Sequence, residues 1–272
     1  MKKILYLTDL YYQAKGRKYY EEDLMITGFL KDFFEIAICN PKNAEAFEDH
    51  ADLIVFRNTG AVLGFQEVYD DFRHRVKEKK LRTFNEFTGK ADMCGKQYLV
   101  DLYNESFPVT PTVDSIKQIH ALPETENYVI KPKKGADSIG LEFITKKELL
   151  QKEFPDDSML IQPAVDFQYE VSFYYINHKF EYALYAPDKN RRWVLERYDP
   201  TEEDILFARK FVEWNNIEHG IQRVDACRTK DGNLLLVELE DLNPYLSLQL
   251  VDDHTRSVFL DDLSGAFNEM IR

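Results

Sequence analysis

Three acidic side chains near the end of the chain, Asp225, Glu238 and Glu240, are spaced for metal chemistry if one turn falls where its residue types direct it. They lie in the run Arg223-Val-Asp-Ala-Cys-Arg-Thr-Lys-Asp-Gly-Asn-Leu-Leu-Leu-Val-Glu-Leu-Glu240. Asp231-Gly232 is a strong hairpin signal, because both residue types tolerate the positive φ of a two-residue type I′ turn. With those two residues as the loop, Lys230 faces Asn233, Asp225 faces Glu238 and Arg223 faces Glu240. Side chains alternate along strands, so all four project from one face of the hairpin. Directly opposed β-carbons lie about 5 Å apart, so Asp225 and Glu238 repel each other unless a cation sits between them. Oxygen-only ligands on one sheet face suit Mg²⁺ (or Mn²⁺) better than zinc. The competing expectation is a solvated hairpin face with an Arg223–Glu240 ion pair, and a longer loop would shift the register.

A second segment, Tyr128-Val-Ile-Lys131-Pro-Lys-Lys-Gly-Ala-Asp-Ser-Ile-Gly140, is a strand that delivers a lysine and then a loop of small residues. Gly135, Ser138 and Gly140 let backbone N–H groups approach an anion closely. A fixed cation with a cradle of donors is what a triphosphate needs, although the pattern lacks the G-K-[ST] end of a P-loop. A third segment, Leu160-Ile-Gln-Pro-Ala-Val165, is apolar and broken by a proline, with Asp166 and Glu170 following. Such a crossing offers backbone groups to a base edge and an acid to hydroxyls. Taken singly, these two segments are also a hairpin turn with solvated lysines and a kinked strand.

The elements that must position these residues are legible from periodicity. Residues 3–8, 35–39 and 53–56 are short β-type runs, with a helical pattern from Glu21 to Phe34 and an amphipathic one from Gln66 to Lys80. The alternation predicts a small open α/β domain over roughly residues 1–85. Ligands of such sheets bind beyond the C-terminal strand ends, where Arg57-Asn58-Thr59-Gly60 falls. A helix over 90–106 carries Lys96 and ends at Pro108 and Pro111. A β-rich stretch follows, with strands at 128–131, 141–144, 159–162, 169–176 and 179–186 and a helix near 146–152. After a charged loop, Thr201-Glu-Glu-Asp204 opens a helix with a capping-box pattern, and a last helix spans 256–271.

The chain of 272 residues is long for one compact core and suits two or three lobes. Its 48 acidic and 35 basic residues give a net charge of −13, which disfavours a nucleic acid partner. Cys39, Cys94 and Cys227 are widely spaced, as in a reducing, cytoplasmic setting rather than a disulfide or zinc framework. The start lacks an apolar run long enough for a signal peptide and reads as the first strand. No segment approaches a membrane span, so no membrane partner is expected.

Taken in order, Lys96, Lys131 with its Gly135–Gly140 loop, Gln162–Val165, Glu170, Asp225 and Glu238-Leu-Glu240 resemble the ATP-grasp superfamily over the whole chain. The resemblance is nearest to the glutathione synthetase and D-alanine–D-alanine ligase branch, and within it to a bacterial subgroup of uncharacterised amide-forming ligases. It implies an α/β and α+β architecture with a pre-grasp α/β domain over 1–88 and an ATP-grasp domain over 89–272. The small lobe would span about 112–164, and the large lobe 165–272 together with the 89–111 helix. By resemblance, Lys96, Lys131 and Ser138 would contact ATP phosphates, Gln162, Ala164 and Val165 would line adenine, and Glu170 would bind ribose. Asp225, Glu238 and Glu240 would hold Mg²⁺ (or Mn²⁺). Arg192 would stabilise the transferring phosphoryl group, with Arg191 and Arg197 as alternatives, and Arg57 would grip a substrate carboxylate. Tyr11, Tyr12, Asn58 and the stretch Asn243–Tyr245 would complete the acceptor pocket. Two departures stand out: the metal strand reads Glu-x-Glu where the family has Glu-x-Asn, and the loop after Lys131 is poorer in glycine. The implied activity is an ATP-dependent carboxylate–amine ligase using an acyl phosphate, with small carboxylate and amine substrates and a homodimer left open. An ATP-binding module without ligase activity and a small-molecule phosphotransferase are the alternatives.

Overall fold

The computed structural model describes residues 1–11, 13–14, 17–57, 65–135, 140–153 and 158–272. Tyr12, Asn58, Thr59, Gly60 and Ser138, singled out in the sequence, lie outside these residues. The first part contains β1 (Lys3–Leu7), a short hairpin of β2 (Gln13–Ala14) and β3 (Arg17–Lys18), α1 (Tyr19–Leu30), β4 (Glu35–Cys39), β5 (Leu53–Phe56), α2 (Gln66–Lys79) and β6 (Thr83–Phe84). Strands β4-β1-β5-β6 form a parallel sheet in that order. All four residues of β5 are buried, as a continuous apolar run covered on both faces requires. Alternation sorts the faces. Ile4, Tyr6, Leu53 and Val55 share a core with Ile26 and Leu30 of α1, whereas Leu5, Leu7, Ile54 and Phe56 pack with Tyr69 and Phe72 of α2.

Beyond it come α3 (Tyr98–Asn104), β7 (Asn127–Pro132), β8 (Glu142–Thr145), α4 (Lys146–Gln151) and β9 (Met159–Pro163). Strands β8-β7-β9 make a three-stranded antiparallel sheet. Its core is small and its own, built from Val113, Leu122, Tyr128, Ile130, Leu149 and Ile161. The rest is β10 (Phe167–Ile176), β11 (Lys179–Ala186), β12 (Glu196–Tyr198), α5 (Glu202–Asn215), β13 (Ile221–Thr229), β14 (Leu234–Glu240) and α6 (Asp253–Ile271). These strands form a five-stranded antiparallel sheet ordered β12-β11-β10-β13-β14. α5 opens with the capping box expected at Thr201 and Asp204 and lays Phe207, Ala208, Phe211 and Val212 on the back of β13 and β14. α6 packs between the two large sheets, so Phe259, Leu263 and Phe267 join Tyr6 and Val55 of the first to Tyr174 and Leu184 of the second in one core.

The architecture is thus mixed α/β with an N-terminal α/β part and two following lobes. Two expectations change. The helix over 90–106 is interrupted, because Gly95 has φ +89°, a conformation open to glycine that ends the 3₁₀ turn Asp92–Cys94 before α3 begins. Lys96 therefore sits in a turn rather than on a helix. The charged loop before Pro200 also contributes an edge strand, β12. No helix among the described residues is long and apolar enough to cross a membrane.

Candidate active site

The β13–β14 hairpin reaches the expected pairing by a different route. The loop has three residues, with Thr229 N donating to Asn233 O at 2.9 Å and Gly232 N to Thr229 O at 3.0 Å. Gly232 takes φ +89° and Asp231 does not have positive φ, so the turn is not type I′. The extra loop residue shifts Ala226 opposite Leu236, and a bulge at Asp225/Ala226 then shifts the register back. Asp225 faces Glu238 and Arg223 faces Glu240 as a result. Val224, Leu236 and Leu239 point into the core behind, which aims the polar residues into a cavity.

One carboxylate oxygen from each of Asp225, Glu238 and Glu240 lies within 4.8 Å of the others. Their mutual repulsion is compensated. Lys96 Nζ is 3.2 Å from Glu238 Oε1 and 2.6 Å from Asp92 Oδ2, and Lys131 Nζ is 3.6 Å from the same Glu238 oxygen. Arg223 contacts Asp225 Oδ2 at 2.7 Å and Glu240 Oε1 at 2.6 Å, and donates to Tyr245 O at 2.9 Å. Burial alone would push Glu238 up, but the two lysines bring it down to about 2. Glu240 is pushed up to about 8 by burial and its acidic neighbours against the opposing pull of Arg223. Burial lowers Lys131, whereas Asp92 and Glu238 hold Lys96 high despite burial. Three clustered oxygen donors of this kind fit a hard divalent cation.

The cavity measures about 750 Å³ and lies between the three-stranded and five-stranded sheets. Lys96, Lys131, Gln162, Ala164, Val165, Glu170, Arg192, Asp225, Glu238, Glu240, Asn243 and Tyr245 all line it. Gln162 is fixed by a 2.8 Å bond from its amide nitrogen to Thr112 Oγ1. Lys96 N donates to Lys133 O at 2.7 Å, which ties the Gly95–Lys96 turn to the end of β7. Asp241, the residue after Glu240, accepts from Met93 N at 2.7 Å and Ala91 N at 3.1 Å, so β14 anchors the same turn.

The candidate arginines are separated. Arg192 lines the cavity but bonds Glu170 Oε2 at 2.6 Å; Arg191 pairs with Asp188 and Arg197 with Asp199 and Asp252. Arg57 turns inward. Its guanidinium is buried, donates to Pro244 O at 2.9 Å and lies 3.4 Å from Glu22 and 3.5 Å from Asp23, both buried. The strand end points it into the interface between the first sheet and the 244–248 segment, which Glu22 also holds through the N–H groups of Leu246 and Leu248. Arg57 is therefore not a wall of the cavity, and Tyr11 is a highly exposed side chain outside it. Asp92 had no place among the expected site residues, although its i, i+4 spacing to Lys96 is visible in the sequence. The Arg223–Glu240 ion pair follows from the expected register, and the structure adds the second contact of Arg223, to Asp225.

No family model matches the chain, and no curated protein matches it. Solved structures do. D-cycloserine synthetase DcsG superposes with a TM-score of 0.76 at 18% identity, covering 99% of this chain and 100% of that one. D-alanine–D-alanine ligase from Bacillus anthracis, complexed with ATP, gives 0.72 at 13%, covering 100% and 97%. The ATP-grasp ligase PsnB, complexed with a variant of its minimal precursor, Mg and ADP, gives 0.65 at 13%, covering 100% and 99%. With likeness across nearly the full length of each, and an N-terminal α/β part followed by two lobes that enclose one cavity, the chain has the ATP-grasp fold.

Proposed function

We propose that this protein is an ATP-dependent carboxylate–amine ligase that works through an acyl phosphate and releases ADP and phosphate. The observation that carries this reading is the meeting, in one cavity, of buried Lys96 and Lys131 with the Asp225–Glu238–Glu240 trio and Arg223. The ATP and Mg–ADP complexes of the similar structures support the same choice of ligands. We place it nearest the glutathione synthetase and D-alanine–D-alanine ligase branch.

A carboxylate resists amines because its leaving group is oxide, and phosphorylation turns that oxygen into a good leaving group. Lys96, Lys131 and Ser138 would hold the polyphosphate. Gln162, Ala164 and Val165 would border adenine and Glu170 the ribose. Asp225, Glu238 and Glu240 would hold Mg²⁺ (or Mn²⁺), which when bound neutralises charge at the β- and γ-phosphates. Arg223 is the best-placed cation for the transferring phosphoryl group and the oxyanion of the tetrahedral intermediate, since it lies against two of the three acids. Arg192 would join it once ribose takes Glu170. Closure of the small lobe would exclude water from the acyl phosphate. An amino-acid-like amine then attacks, forming the amide.

The test is a screen of amino acids and dipeptides with ATP and Mg²⁺, scored for ADP, phosphate and product mass. Hydroxylamine should trap the acyl phosphate of the active carboxylate as a hydroxamate. AMP formation would point to adenylation instead, and a phosphorylated product that no amine consumes would point to a phosphotransferase.

A further inference from the structure

Among the described residues, three arginines line the cavity: Arg73, Arg192 and Arg223. Two are already neutralised, Arg192 by Glu170 and Arg223 by Asp225 and Glu240. Arg73 has no ion-pair partner among the described residues. Its guanidinium carbon is 5.5 Å from the ring centre of Tyr69 and 5.8 Å from that of Phe87. Two aromatic faces fix the orientation of the guanidinium without cancelling its charge.

Arg73 is one of a set. Gln66, Tyr69, Asp70 and Arg73 are spaced i, i+3, i+4 and i+7 on α2, so they share one helix face, and all four line the cavity. Asp70 accepts from Gln66 Nε2 at 3.0 Å and has no basic partner among the described residues. An acid and a base one turn apart, unpaired with each other, present opposite charges to the same ligand. The polyphosphate has its own cations in Lys96 and Lys131, and Asp70 opposes a highly charged anion beside it. A zwitterion meets no such conflict.

We propose that the α2 face is the subsite for a free α-amino acid, with Arg73 taking its carboxylate and Asp70 its ammonium group. The duty expected of Arg57 thereby moves to the helix that follows the same strand, where the guanidinium faces the cavity instead of the core. The inference rests on the ligase reading for what happens to the amino acid, but not for its binding. A bidentate arginine–carboxylate contact supplies both affinity and orientation.

The experiment uses the full chain with ADP and Mg²⁺, and measures melting temperature with each of the twenty L-amino acids and D-alanine added singly. At least one is expected to raise the melting temperature of the parent, and its carboxamide to leave it unchanged. Arg73→Met keeps an apolar stem over Tyr69 and Phe87 while removing the charge; it should weaken binding of that amino acid at least tenfold and leave ADP affinity within twofold. Arg73→Lys, which retains charge on a similar stem, should lose less. No shift with any amino acid, equal binding by parent and Arg73→Met, or a loss confined to ADP would overturn the proposal. ATP turnover measured with the amino acid that binds tests the ligase reading separately: binding without turnover would sink that reading and keep the subsite.

Discussion

Glu238 forms ion pairs with both buried lysines, Lys96 at 3.2 Å and Lys131 at 3.6 Å, so one carboxylate balances the cations that a nucleotide would claim. Replacing Lys131 with alanine should raise the ATP dissociation constant on the order of 10- to 100-fold, since a hydrogen bond to a charged group contributes about 1.5–3 kcal/mol. Lys96 still neutralises Glu238 in that variant, so its melting curve should remain cooperative and near the parent's. Unchanged ATP affinity by calorimetry would return Lys131 to a purely structural part. Glu238→Gln tests the other side of the pair. Glu238 is held down to about 2, so its ionised form stabilises the fold above its ordinary carboxylate range, and that contribution is lost as pH falls toward 2. The glutamine variant should therefore melt below the parent without metal at neutral pH, lose turnover, and gain much less from Mg²⁺. Equal stabilisation of both proteins by Mg²⁺ would place the cation away from this trio. The sign differs from what two bare opposed carboxylates would give, because the lysines and Arg223 outweigh the repulsion.

Elements bring their own charge problems, and the contact of β11 with α6 is the clearest. Glu181 on β11 has a side chain only 2% exposed, and Lys179 lies 3.6 Å from it. Lys179 also pairs with Asp262 of α6. Burial and the negative charge of Asp262 outweigh the pull of Lys179, and the carboxyl is pushed up to about 8. A folded-state value above the unfolded one favours the protonated fold. The stability from this group is fully present below the ordinary glutamate range and is lost as pH rises through about 8. Glu22, raised to about 7 by burial against Arg57, acts in the same direction. The melting temperature should fall between pH 6 and pH 9, and Glu181→Gln should flatten that fall while leaving nucleotide affinity alone. An identical pH profile in the variant would show that Glu181 is ionised in the fold.

At the scale of the whole molecule, packing divides unequally. The first sheet, α6 and the five-stranded sheet share a core through Phe259 and Phe267, whereas the three-stranded sheet keeps a separate, smaller one. Among the described residues its backbone is tied to the rest by Lys96 N donating to Lys133 O, and the segment leading into it is held by Thr110 N to Leu236 O before Val113 pairs with Ile161 of the lobe itself. A body with its own core and a narrow attachment moves as a unit at little cost. A non-hydrolysable ATP analogue with Mg²⁺ is therefore expected to reduce the radius of gyration measured by small-angle scattering. An unchanged radius at saturating nucleotide would mean that the lobes stand at their closed separation already.

What the sequence determined by itself was the order of elements and the residues worth watching. Apolar runs such as Leu53–Phe56, the Thr201 capping box and the helical spacing of Gln66 to Lys79 are local signals, and local physics produced them. The pairing of Asp225 with Glu238 was legible too, but through a two-residue turn, whereas a three-residue loop and a compensating bulge produce it. Tertiary structure decided which cations face the cavity. Arg57 and Arg73 lie near each other in the same strand–helix unit and differ little as sequence. One enters an acid-lined core at Glu22 and Asp23, and the other is propped on Tyr69 and Phe87 at the cavity wall. That difference depends on residues up to 187 positions away, such as Pro244, whose carbonyl draws Arg57 inward. Periodicity reports which face of an element is apolar; it carries no record of what the polar face meets.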